Sequence, residues 1–501
     1  MLIDTQYLSK SKKLLVSFID ASGDMKVKYF DWQSPFKYEV CSWDDPDRSQ
    51  RYHSWDNKPI KKVYHSYPDR YSTYEFLDGL DKKETEEIFK FYLPKIYFID
   101  IEVEVLDGFP DPSEAPTMVQ SISIVYDDKI ILLGLKDLTE DTQIRIKNNT
   151  NKYFEKFDSS YKFKYIKYED EFNMLYSFFN KMLPKMPCIT GWNFLDFDWR
   201  FLVNRARKIT KTINNKTYHI DPRVSSFSKK LNQIWGTDYE IPAHKLVFDY
   251  MLLYDSLDTS VKVKESKSLD FVSEKLLRLK KIEYKGSLMS LYEEDFETFM
   301  YYNAVDSVLV QKIHEVGKYI NIIFAIASTS KIKATDVYSY SNGALGSLAI
   351  TEGLLREMFR EDENIILFKD KTKNISSTDS IAGGWVKEPA VGMNKWVSCY
   401  DFASLYPITQ RQFFISPENY KGKKDVQNPD ICIGLDGRKM EIKKDDVVCV
   451  NGSVFKKNKS PTLKMLEKVY ADRKQNKKIM NQKKLEMDEI DKQIQDLENQ
   501  L

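Results

Sequence analysis

Two carboxylates placed two residues apart are the first feature of this sequence that could do chemistry. In the segment KIYFIDIEVEV, Asp100 and Glu102 lie on a predicted strand, where residues two apart project from the same face. The alternate positions Ile99, Ile101 and Val103 fill the opposite face. Mg²⁺ prefers carboxylate oxygens, and two such ions roughly 3.5–4 Å apart can activate a water and stabilise a leaving oxygen. The pair therefore indicates metal-assisted hydrolysis of a phosphodiester.

Three further side chains of suitable type follow along the chain. Asp198 lies at the head of an amphipathic stretch, GWNFLDFDWRFLVNRA. Tyr302 and Asp306 are four apart in YYNAVDSVLVQKI, a spacing that puts phenol and carboxylate on one face of a helix. A tyrosine there could position the attacking water or the scissile phosphate by hydrogen bonding. The competing interpretations are a solvated strand acid, which Glu104 illustrates, and an ordinary core tyrosine.

The order of these segments resembles the three exonuclease motifs of family B DNA polymerases, which read DIE, then N-x₃-F-D, then Y-x₃-D. The resemblance implies a 3′→5′ proofreading exonuclease with a ribonuclease H-like fold, acting on single-stranded 3′ ends. It also implies two Mg²⁺ ions per active site, with Mn²⁺ as an alternative. The residues that it assigns are four metal ligands and an assisting tyrosine, namely Asp100, Glu102, Asp198, Asp306 and Tyr302.

The second of these motifs contains a choice that residue chemistry alone leaves open. Asp196 and Asp198 both lie in the string LDFD, and either carboxylate could bind a metal ion. The pattern N-x₃-F-D aligns Asn193, Phe197 and Asp198 with the family. The resemblance therefore favours Asp198.

A second and longer resemblance covers residues 383–418, which look like the first palm motif of the same family, most closely in the T-even-type bacteriophage enzymes. Its core is D-x₂-SLYP. The resemblance implies that Asp401 is a catalytic residue that binds the metal ions of nucleotidyl transfer. It also implies that the backbone from Phe402 to Leu405 approaches the metal and the triphosphate. Tyr406 would pack against the deoxyribose and exclude a 2′-hydroxyl.

The segment after residue 453 has a strong local charge pattern. Between 453 and 484 there are eleven Lys or Arg residues against Glu467 and Asp472, so this stretch could face phosphates or be a solvated surface. Arg473 and Lys477 match the residues of the family's fingers domain that bind the incoming triphosphate. Residues 485–501 carry six acids against Lys492 and a narrow apolar stripe, which is typical of one arm of a helical hairpin.

Two later motifs of the family do not occur in this sequence: a second fingers segment of the K-x₃-N-S-x-Y-G kind and a palm motif with two aspartates around a threonine. We therefore expect the chain not to polymerise DNA alone. One hypothesis is a naturally split polymerase whose second chain supplies the rest of the fingers, palm and thumb. An incomplete gene is the other. Two other functions remain open, a stand-alone 3′→5′ exonuclease and a non-catalytic DNA-binding subunit.

Composition limits the class of protein and its partners. The chain has 501 residues, 42% of them hydrophobic and 14% aromatic, which is enough for several domains. Net charge is +1, so any contact with DNA must be local. The five cysteines have no close spacing, which favours reduced, intracellular thiols. The absence of a signal peptide or a long apolar run predicts a cytoplasmic protein that does not bind membranes.

By the resemblance, the partners would be DNA primer-template, deoxynucleoside triphosphates, the second polymerase chain and a sliding clamp. The location would be the cytoplasm of a host cell if the protein is viral. These expectations come from the family and not from the composition.

The elements that must position these residues predict an α/β protein of several domains. We predict a β-rich N-terminal domain over 1–94, completed by 328–380, and an exonuclease domain over 95–327. A partial α+β palm would cover 381–460 and a first fingers helix 461–501, with Pro461 at the first helical position. Residues 319–350 are predicted as further helix and 361–380 as a polar loop. The segment 394–407 is predicted to begin as a strand and to turn at Pro407.

Overall fold

The computed structural model describes residues 1–54, 58–106, 108–223, 230–234, 237–258, 265–338, 345–361, 365–366, 387–389, 391–393, 395–402, 404–434 and 437–498. The chain divides into two compact units. The first unit comprises Met1–Gln33 and Phe76–Thr351, and the second comprises Ser34–Glu75 and Glu352–Leu501. The four-domain division predicted above is finer than these units and remains a prediction.

Strands occur in both units. Numbered along the chain, they are β1 (Leu2–Leu8), β2 (Lys13–Ile19), β3 (Met25–Asp31), β4 (Phe36–Val40), β5 (His53–Ser54), β6 (Ile60–Tyr64), β7 (Ile96–Val103), β8 (Val119–Tyr126), β9 (Lys129–Gly134), β10 (Lys162–Lys167), β11 (Cys188–Gly191), β12 (Thr210–Ile213), β13 (Lys216–His219), β14 (Leu231–Gln233), β15 (Glu240–Pro242), β16 (Leu246–Asp249), β17 (Ile365–Ile366), β18 (Tyr420–Lys424), β19 (Ile431–Ile433), β20 (Lys439–Glu441), β21 (Val447–Val448) and β22 (Ser453–Phe455).

Helices cover the sheets and form much of the second unit. They are α1 (Arg70–Asp78), α2 (Lys82–Phe89), α3 (Glu140–Tyr153), α4 (Glu171–Ser177), α5 (Asp198–Lys208), α6 (Tyr250–Leu257), α7 (Leu269–Leu277), α8 (Leu288–Glu294), α9 (Phe296–Gly317), α10 (Tyr319–Ser330), α11 (Ala334–Val337), α12 (Ser347–Glu361), α13 (Leu405–Gln412) and α14 (Pro461–Glu498).

The first unit begins with a three-stranded antiparallel sheet, β1-β2-β3. Its central strand reads KLLVSFI and is buried over most of its length, because it has a neighbour on each side. The β-rich character predicted for the N-terminal region is confirmed.

A six-stranded mixed sheet follows, with the order β10-β9-β8-β7-β11-β16. Strands β7, β8 and β9 are successive antiparallel neighbours, whereas β11 pairs parallel with β7 and β16 parallel with β11. Strand β10 pairs parallel with β9 at the edge. The sequence SISIVY of β8 is almost entirely buried, as expected for a strand covered on both faces. Strand β7 therefore lies inside the sheet, between β8 and β11.

Helix α9 lies across β7 and β8 on one face of this sheet. It has 22 residues, and the Asp295 side chain accepts a hydrogen bond from the backbone N–H of Thr298 at its start. Most of its central residues are buried, so its polar side chains there must find partners inside the protein. The helix predicted around YYNAVDSVLVQKIHEV is confirmed.

In the second unit, a five-stranded antiparallel sheet with the order β20-β19-β18-β22-β21 precedes the long helix α14. The Glu418 side chain accepts hydrogen bonds from the backbone N–H and the hydroxyl of Thr462, at 3.0 and 2.6 Å, and so caps the start of α14. Pro461 is the first residue of that helix, as predicted. Met465 then packs in an apolar cluster with Leu355 and Phe359 of α12.

The local structure predicted for 394–407 is wrong. Residues 395–402 form no strand, and Pro407 lies inside α13 and not at a turn. A strand needs a neighbour to accept its hydrogen bonds, and within the described part of the chain this segment has none. Proline is tolerated at Pro407 because the first turn of a helix has no partner for its backbone N–H.

The polar loop predicted for 361–380 falls mostly outside the described residues. The described residues of this stretch are Glu361, which is the last residue of α12, and Ile365–Ile366, which forms β17 parallel to β5. The prediction of further helix over 319–350 is confirmed for α10, α11 and the start of α12. In the part of the chain that the structure describes, no helix is both long and apolar enough to cross a bilayer.

Candidate metal centre

Strand β7 brings the first two candidate acids to the face that α9 covers. Asp100 and Glu102 pair across the sheet with Ser123 and Ser121 of β8. The carboxylates of Asp100, Glu102 and Asp306 each have an oxygen within 4.8 Å of the others. Glu102 and Asp306 are buried, with 9% and 3% exposure, whereas Asp100 is half-buried and keeps an opening to solvent. The three acids therefore form one cluster in which Asp100 is the most accessible member.

Asp198 contacts the same strand from the start of helix α5. It is the first residue of α5, is 4% exposed, and its Oδ1 accepts a hydrogen bond from the backbone N–H of Ile101 at 3.0 Å. Gly191, at the end of β11, also lies close against β7, because a Cβ atom there would be 2.3 Å from the carbonyl oxygen of Ile99. Asp198 is thus anchored beside the acids of β7, although it is not one of the three within 4.8 Å.

The neighbouring Asp196 is placed differently. It is exposed, and its Oδ1 accepts a hydrogen bond from the hydroxyl of Tyr239. The Asp198 carboxylate lies against β7, and the Asp196 carboxylate faces the surface. Of the two acids that residue chemistry left open, Asp198 is the one beside the cluster.

Lys281 is a site residue that sequence reasoning missed. Its Nζ lies 2.5 Å from Asp306 Oδ2 and 4.9 Å from the centre of the Tyr302 ring. The backbone N–H of Lys281 donates to the Asp270 carboxylate of α7 at 2.8 Å, which fixes the start of the side chain. Tyr284 packs edge-on against Tyr302 at 5.3 Å. No local pattern marks Lys281, which lies in a charged segment outside helices and strands.

Burial and crowding shift the pKa values of the acids upward. The pKa of Asp100 is raised to about 7, by burial first and by repulsion from Asp306 second. Burial, and then repulsion from Asp100, raise the pKa values of Glu102 and Asp198 in the same way. Burial also raises the pKa of Asp306, although attraction to Lys281 opposes the shift. Four carboxylates thus lie close together, and among the described residues Lys281 is the cation that opposes their repulsion.

The phenol and the ammonium group keep their protons. Burial and then the charge of Asp306 raise the pKa of Tyr302. Burial lowers the pKa of Lys281, but attraction to Asp306 outweighs it and the net shift is upward. At neutral pH, Tyr302 is therefore a neutral hydroxyl and Lys281 a cation.

This donor set fits a divalent cation. Lys281 contacts Oδ2 of Asp306, whereas Oδ1 of Asp306 is buried and has no hydrogen-bond partner among the described residues. An orphaned carboxylate oxygen inside a protein is costly unless something charged or hydrogen-bonding meets it. Carboxylate oxygens in a group of three or four suit hard cations such as Mg²⁺.

Asn303 is a second residue that sequence reasoning missed. Its Nδ2 donates to Asp100 Oδ2 at 2.8 Å, and its Oδ1 accepts from the Ser121 hydroxyl at 3.1 Å. Both Asn303 and Ser121 are fully buried. The signal was present in the string YYNAVD, as an amide among apolar residues next to two site residues.

In the second unit, the candidate polymerase residues are exposed. Tyr406 is 80% exposed, and Asp401, Phe402 and Leu405 are also exposed. Among the described residues, Asp401 belongs to no group of three acids that could hold a metal ion. The structure therefore does not bring Asp401 into a carboxylate cluster of the kind found on β7.

A hydrogen bond joins the two segments predicted to bind the nucleotide. Arg473 Nη1 of α14 donates to the hydroxyl of Ser404 at 3.1 Å, directly before α13. Ser404 has a φ of 55°, so the backbone turns sharply there. Lys477 is exposed one turn further along α14.

Comparison with known families agrees with this geometry. Residues 74–255 match the family described as DNA polymerase family B, exonuclease domain, a range that includes Asp100, Glu102 and Asp198. Residues 344–500 match DNA polymerase family B and include Asp401 and Arg473. The two segments together make up more than half of the chain and are matched to one family. The chain belongs to the family B DNA polymerases, which confirms the resemblance drawn from the motifs.

Individual relatives come from bacteriophages. The chain is 27% identical over 337 residues to the DNA-directed DNA polymerase of Escherichia phage RB69, an alignment that covers 64% of this chain and 35% of the relative. It is 25% identical over 336 residues to the DNA-directed DNA polymerase of Enterobacteria phage T4, covering 66% of this chain and 35% of the relative. The matched part of the chain spans about a third of the length of these relatives.

Proposed function

We propose that this chain removes nucleotides from the 3′ ends of single-stranded DNA by metal-assisted phosphodiester hydrolysis, the proofreading activity of a DNA polymerase. The observation that carries the proposal is the cluster of Asp100, Glu102 and Asp306, with a buried and unpartnered oxygen on Asp306. Asp198, anchored to Ile101, is the fourth ligand of the proposed site.

Two Mg²⁺ ions, or Mn²⁺ in their place, would supply an activated water and stabilise the leaving oxygen when bound. The protein's part is to hold four carboxylates in place against their mutual repulsion. Hydrogen bonds from Ile101 and Asn303 and the ion pair with Lys281 do this for three of them. These contacts set the acids in position before any substrate arrives, which reduces the reorganisation needed during the reaction.

Tyr302 and Lys281 act as proton-bearing groups at the edge of the cluster. Because its pKa is raised, Tyr302 donates a hydrogen bond and does not serve as a base. In the proposed site it orients the attacking water or the scissile phosphate. Lys281 neutralises Asp306 and faces the Tyr302 ring, so it stabilises negative charge that develops nearby.

A pair of aromatic rings beside Asp198 supports a single-stranded substrate. Phe109 is 75% exposed, and its ring centre lies 4.7 Å from that of Phe197, the residue directly before Asp198. Unpaired bases stack on exposed aromatic faces without regard to sequence. We assign these rings to the bases next to the scissile phosphate.

We infer a ribonuclease H-like fold for this part of the chain. The support is the strand order β9-β8-β7-β11-β16, with the first three strands antiparallel and the last two parallel to β7. Asp100 and Glu102 lie on β7, the central strand of these five, which pairs parallel with β11 and is covered by helix α9.

The second unit carries part of a nucleotidyl-transfer site in this proposal. Asp401 and the backbone at Phe402 would bind metal, and Leu405 and Tyr406 would contact the nucleotide. Arg473 and Lys477 would hold the triphosphate, and the bond from Arg473 to Ser404 supports the placement of α14 beside this segment. Asp401 lies in no acid group among the described residues, so we propose that DNA synthesis needs a second polypeptide with the remaining palm, fingers and thumb.

A primer-template assay tests these proposals. The purified chain is incubated with Mg²⁺, with and without deoxynucleotides, alone and with a candidate second chain. Degradation by the chain alone, with extension only on mixing, is the expected result. Extension without the second chain would contradict the need for it, and an absence of degradation with either metal would overturn the nuclease proposal.

A stand-alone exonuclease is the second candidate, because the acid cluster is assembled whereas the Asp401 segment is exposed. Asp401→Ala separates the two functions. If the polymerase proposal holds, this variant degrades DNA normally and abolishes synthesis in the mixed sample. If none of the second chains tested supports synthesis by the wild-type protein, degradation is the activity to be assigned to this chain.

A further inference from the structure

Asn303 occupies a position between two site residues and contacts a third. It follows Tyr302 on α9 and precedes Asp306 by three residues, so its side chain lies on the same face as the Asp306 carboxylate. Its Nδ2 donates to Asp100 Oδ2 at 2.8 Å across 203 residues of sequence. One helix therefore supplies an acid of the cluster and also contacts an acid on β7.

The Asp100 carboxylate, which only accepts hydrogen bonds, determines which end of the Asn303 amide faces it, and Ser121 holds the other end. The Ser121 hydroxyl donates to Asn303 Oδ1 at 3.1 Å, which leaves the NH₂ group toward Asp100. The reversed amide would place Oδ1 against a carboxylate oxygen, and two acceptors repel each other. Ser121 is opposite Glu102 in the sheet, so the hydrogen bonds run from β8 through α9 to β7.

A general tendency of buried polar groups to pair with one another does not explain why Asn303 and Ser121 are joined. The hydroxyls of Ser123, on the same face of β8, and of Ser307, on α9, are buried and have no hydrogen-bond partner among the described residues. Neither hydroxyl makes a hydrogen bond to an acid of the cluster among the described residues. Ser121 and Asn303, in contrast, are joined to each other and lead to Asp100.

We propose that Asn303, held in place by Ser121, is a positioning residue that keeps the Asp100 carboxylate in the conformation that binds metal. This inference rests on the nuclease function proposed above. Asn303 acts through Asp100 and not on the substrate. Residues that orient metal ligands in this way typically change metal affinity or activity by roughly 10- to 100-fold when they are replaced.

The chain offers matched controls for both residues. Gln311 is a second buried amide on α9, and it contacts the Asp127 carbonyl at 2.9 Å and the Tyr161 hydroxyl at 2.7 Å, away from the acids. Ser123 is two residues from Ser121 on the same strand face and is equally buried. Gln311→Leu and Ser123→Ala therefore report the cost of removing a buried polar group without removing a contact to Asp100 through Asn303.

The experiment measures Mn²⁺ binding to the full chain without DNA, by titration calorimetry and by electron paramagnetic resonance, together with degradation of a labelled single strand. We expect Asn303→Leu to weaken Mn²⁺ binding and to lower kcat by roughly 10- to 100-fold. Ser121→Ala should show a smaller loss in the same direction, and Ser121→Thr, which keeps the hydroxyl, should restore most of it. Gln311→Leu and Ser123→Ala should stay within about twofold of the wild type.

Asp100→Ala separates the two levels of the proposal. If Asp100→Ala retains degradation, the assignment of Asp100 to the nuclease site fails. If Asp100→Ala is inactive but Asn303→Leu binds Mn²⁺ as Gln311→Leu does, the positioning role fails and the nuclease assignment stands. Should Asn303→Leu not fold, an unchanged Mn²⁺ affinity in Ser121→Ala overturns the positioning role.

Discussion

The two candidate sites of this chain differ in how much of each is assembled within a single unit. On β7 and α9, three acids converge in the interior, where hydrogen bonds and an ion pair hold them. Around Asp401, the side chains are exposed, and the segment that ends in α13 is joined to α14 by the hydrogen bond from Arg473 to Ser404 and the ion pair of Arg411 with Glu467. The difference teaches that matching a family motif and having an assembled site are separate properties, since both segments match the same family.

The largest effect is expected where the acids are already assembled. Asp100→Ala combined with Glu102→Ala should reduce degradation of single-stranded DNA by roughly 10³-fold or more, since charge stabilisation in a buried site is lost. The metal-free variant should be more stable than the wild type, because two mutually repelling buried carboxylates are gone. Initial rates and urea unfolding measure the two effects.

Glu104→Ala is the control for that double variant, because Glu104 follows on the same segment and is not part of the acid cluster. It should leave degradation within about twofold of the wild type. If the double variant kept its nuclease activity, the assignment of the two acids would be wrong.

Lys281→Met should give the next largest effect. It removes the cation beside Asp306 and leaves a buried carboxylate without its partner, which we expect to cost on the order of 2 kcal/mol after allowance for the partial exposure of Lys281. Lys280→Met is a matched control, because that side chain is exposed and pairs with an exposed Glu274. Equal urea midpoints for the two variants would contradict the role given to Lys281.

The pH dependence of metal binding is a third test. The pKa of Asp100 is raised to about 7, whereas an unfolded aspartate ionises near 4. Between roughly pH 4 and 7 the metal-free folded state therefore binds more protons than the unfolded state. The contribution of Asp100 to the free energy of unfolding falls as pH rises through this range. Mn²⁺ binds the ionised form, so its affinity should rise as pH increases through 7, with release of a proton.

Calorimetry in buffers of different ionisation enthalpy measures that proton release directly. The apparent affinity should increase by up to about tenfold per pH unit below pH 7 and level off above it. Metal affinity that is independent of pH between 5 and 8 would show that burial and mutual repulsion do not raise the pKa values of these acids.

The smallest effect is expected at the exposed segment. Tyr406→Ala should change the free energy of unfolding by less than about 0.5 kcal/mol, because its ring is exposed. Tyr302→Ala, at a buried ring packed on Tyr284, should cost about 3 kcal/mol. If the two tyrosines proved equally important for stability in urea unfolding, the contrast between the two sites would fail.

Much of the nuclease part could be predicted from the sequence because its signals are local. Strand periodicity predicted β7, β8 and β9, and the four-residue spacing of Tyr302 and Asp306 predicted their shared helix face. The motif order then led to the family. Lys281 and the Asn303 contact to Asp100 could not be predicted in the same way, because they depend on which distant elements pack together.

For the segment around Asp401, the sequence predicted the family but not the local structure. The sequence analysis predicted that this segment begins as a strand, but a strand forms only where a neighbouring strand completes its hydrogen bonds. Residues 395–402 form none, and the helix α13 takes in Pro407 instead. The motif therefore predicted the family correctly and the local structure wrongly.

The close approach at Gly191 has a consequence for how this protein tolerates change. A Cβ atom at residue 191 would lie 2.3 Å from the carbonyl oxygen of Ile99 and 2.7 Å from the ring of Phe194, so the end of β11 has no room for a side chain. Asp198 takes its position from the backbone path that leaves this strand. Substitutions that repack the apolar face of the sheet can thus lower stability while leaving the acid spacing unaltered, whereas any side chain at residue 191 would act on the spacing itself. As the sequence changes during evolution, retention of activity would therefore depend on the absence of a side chain at residue 191.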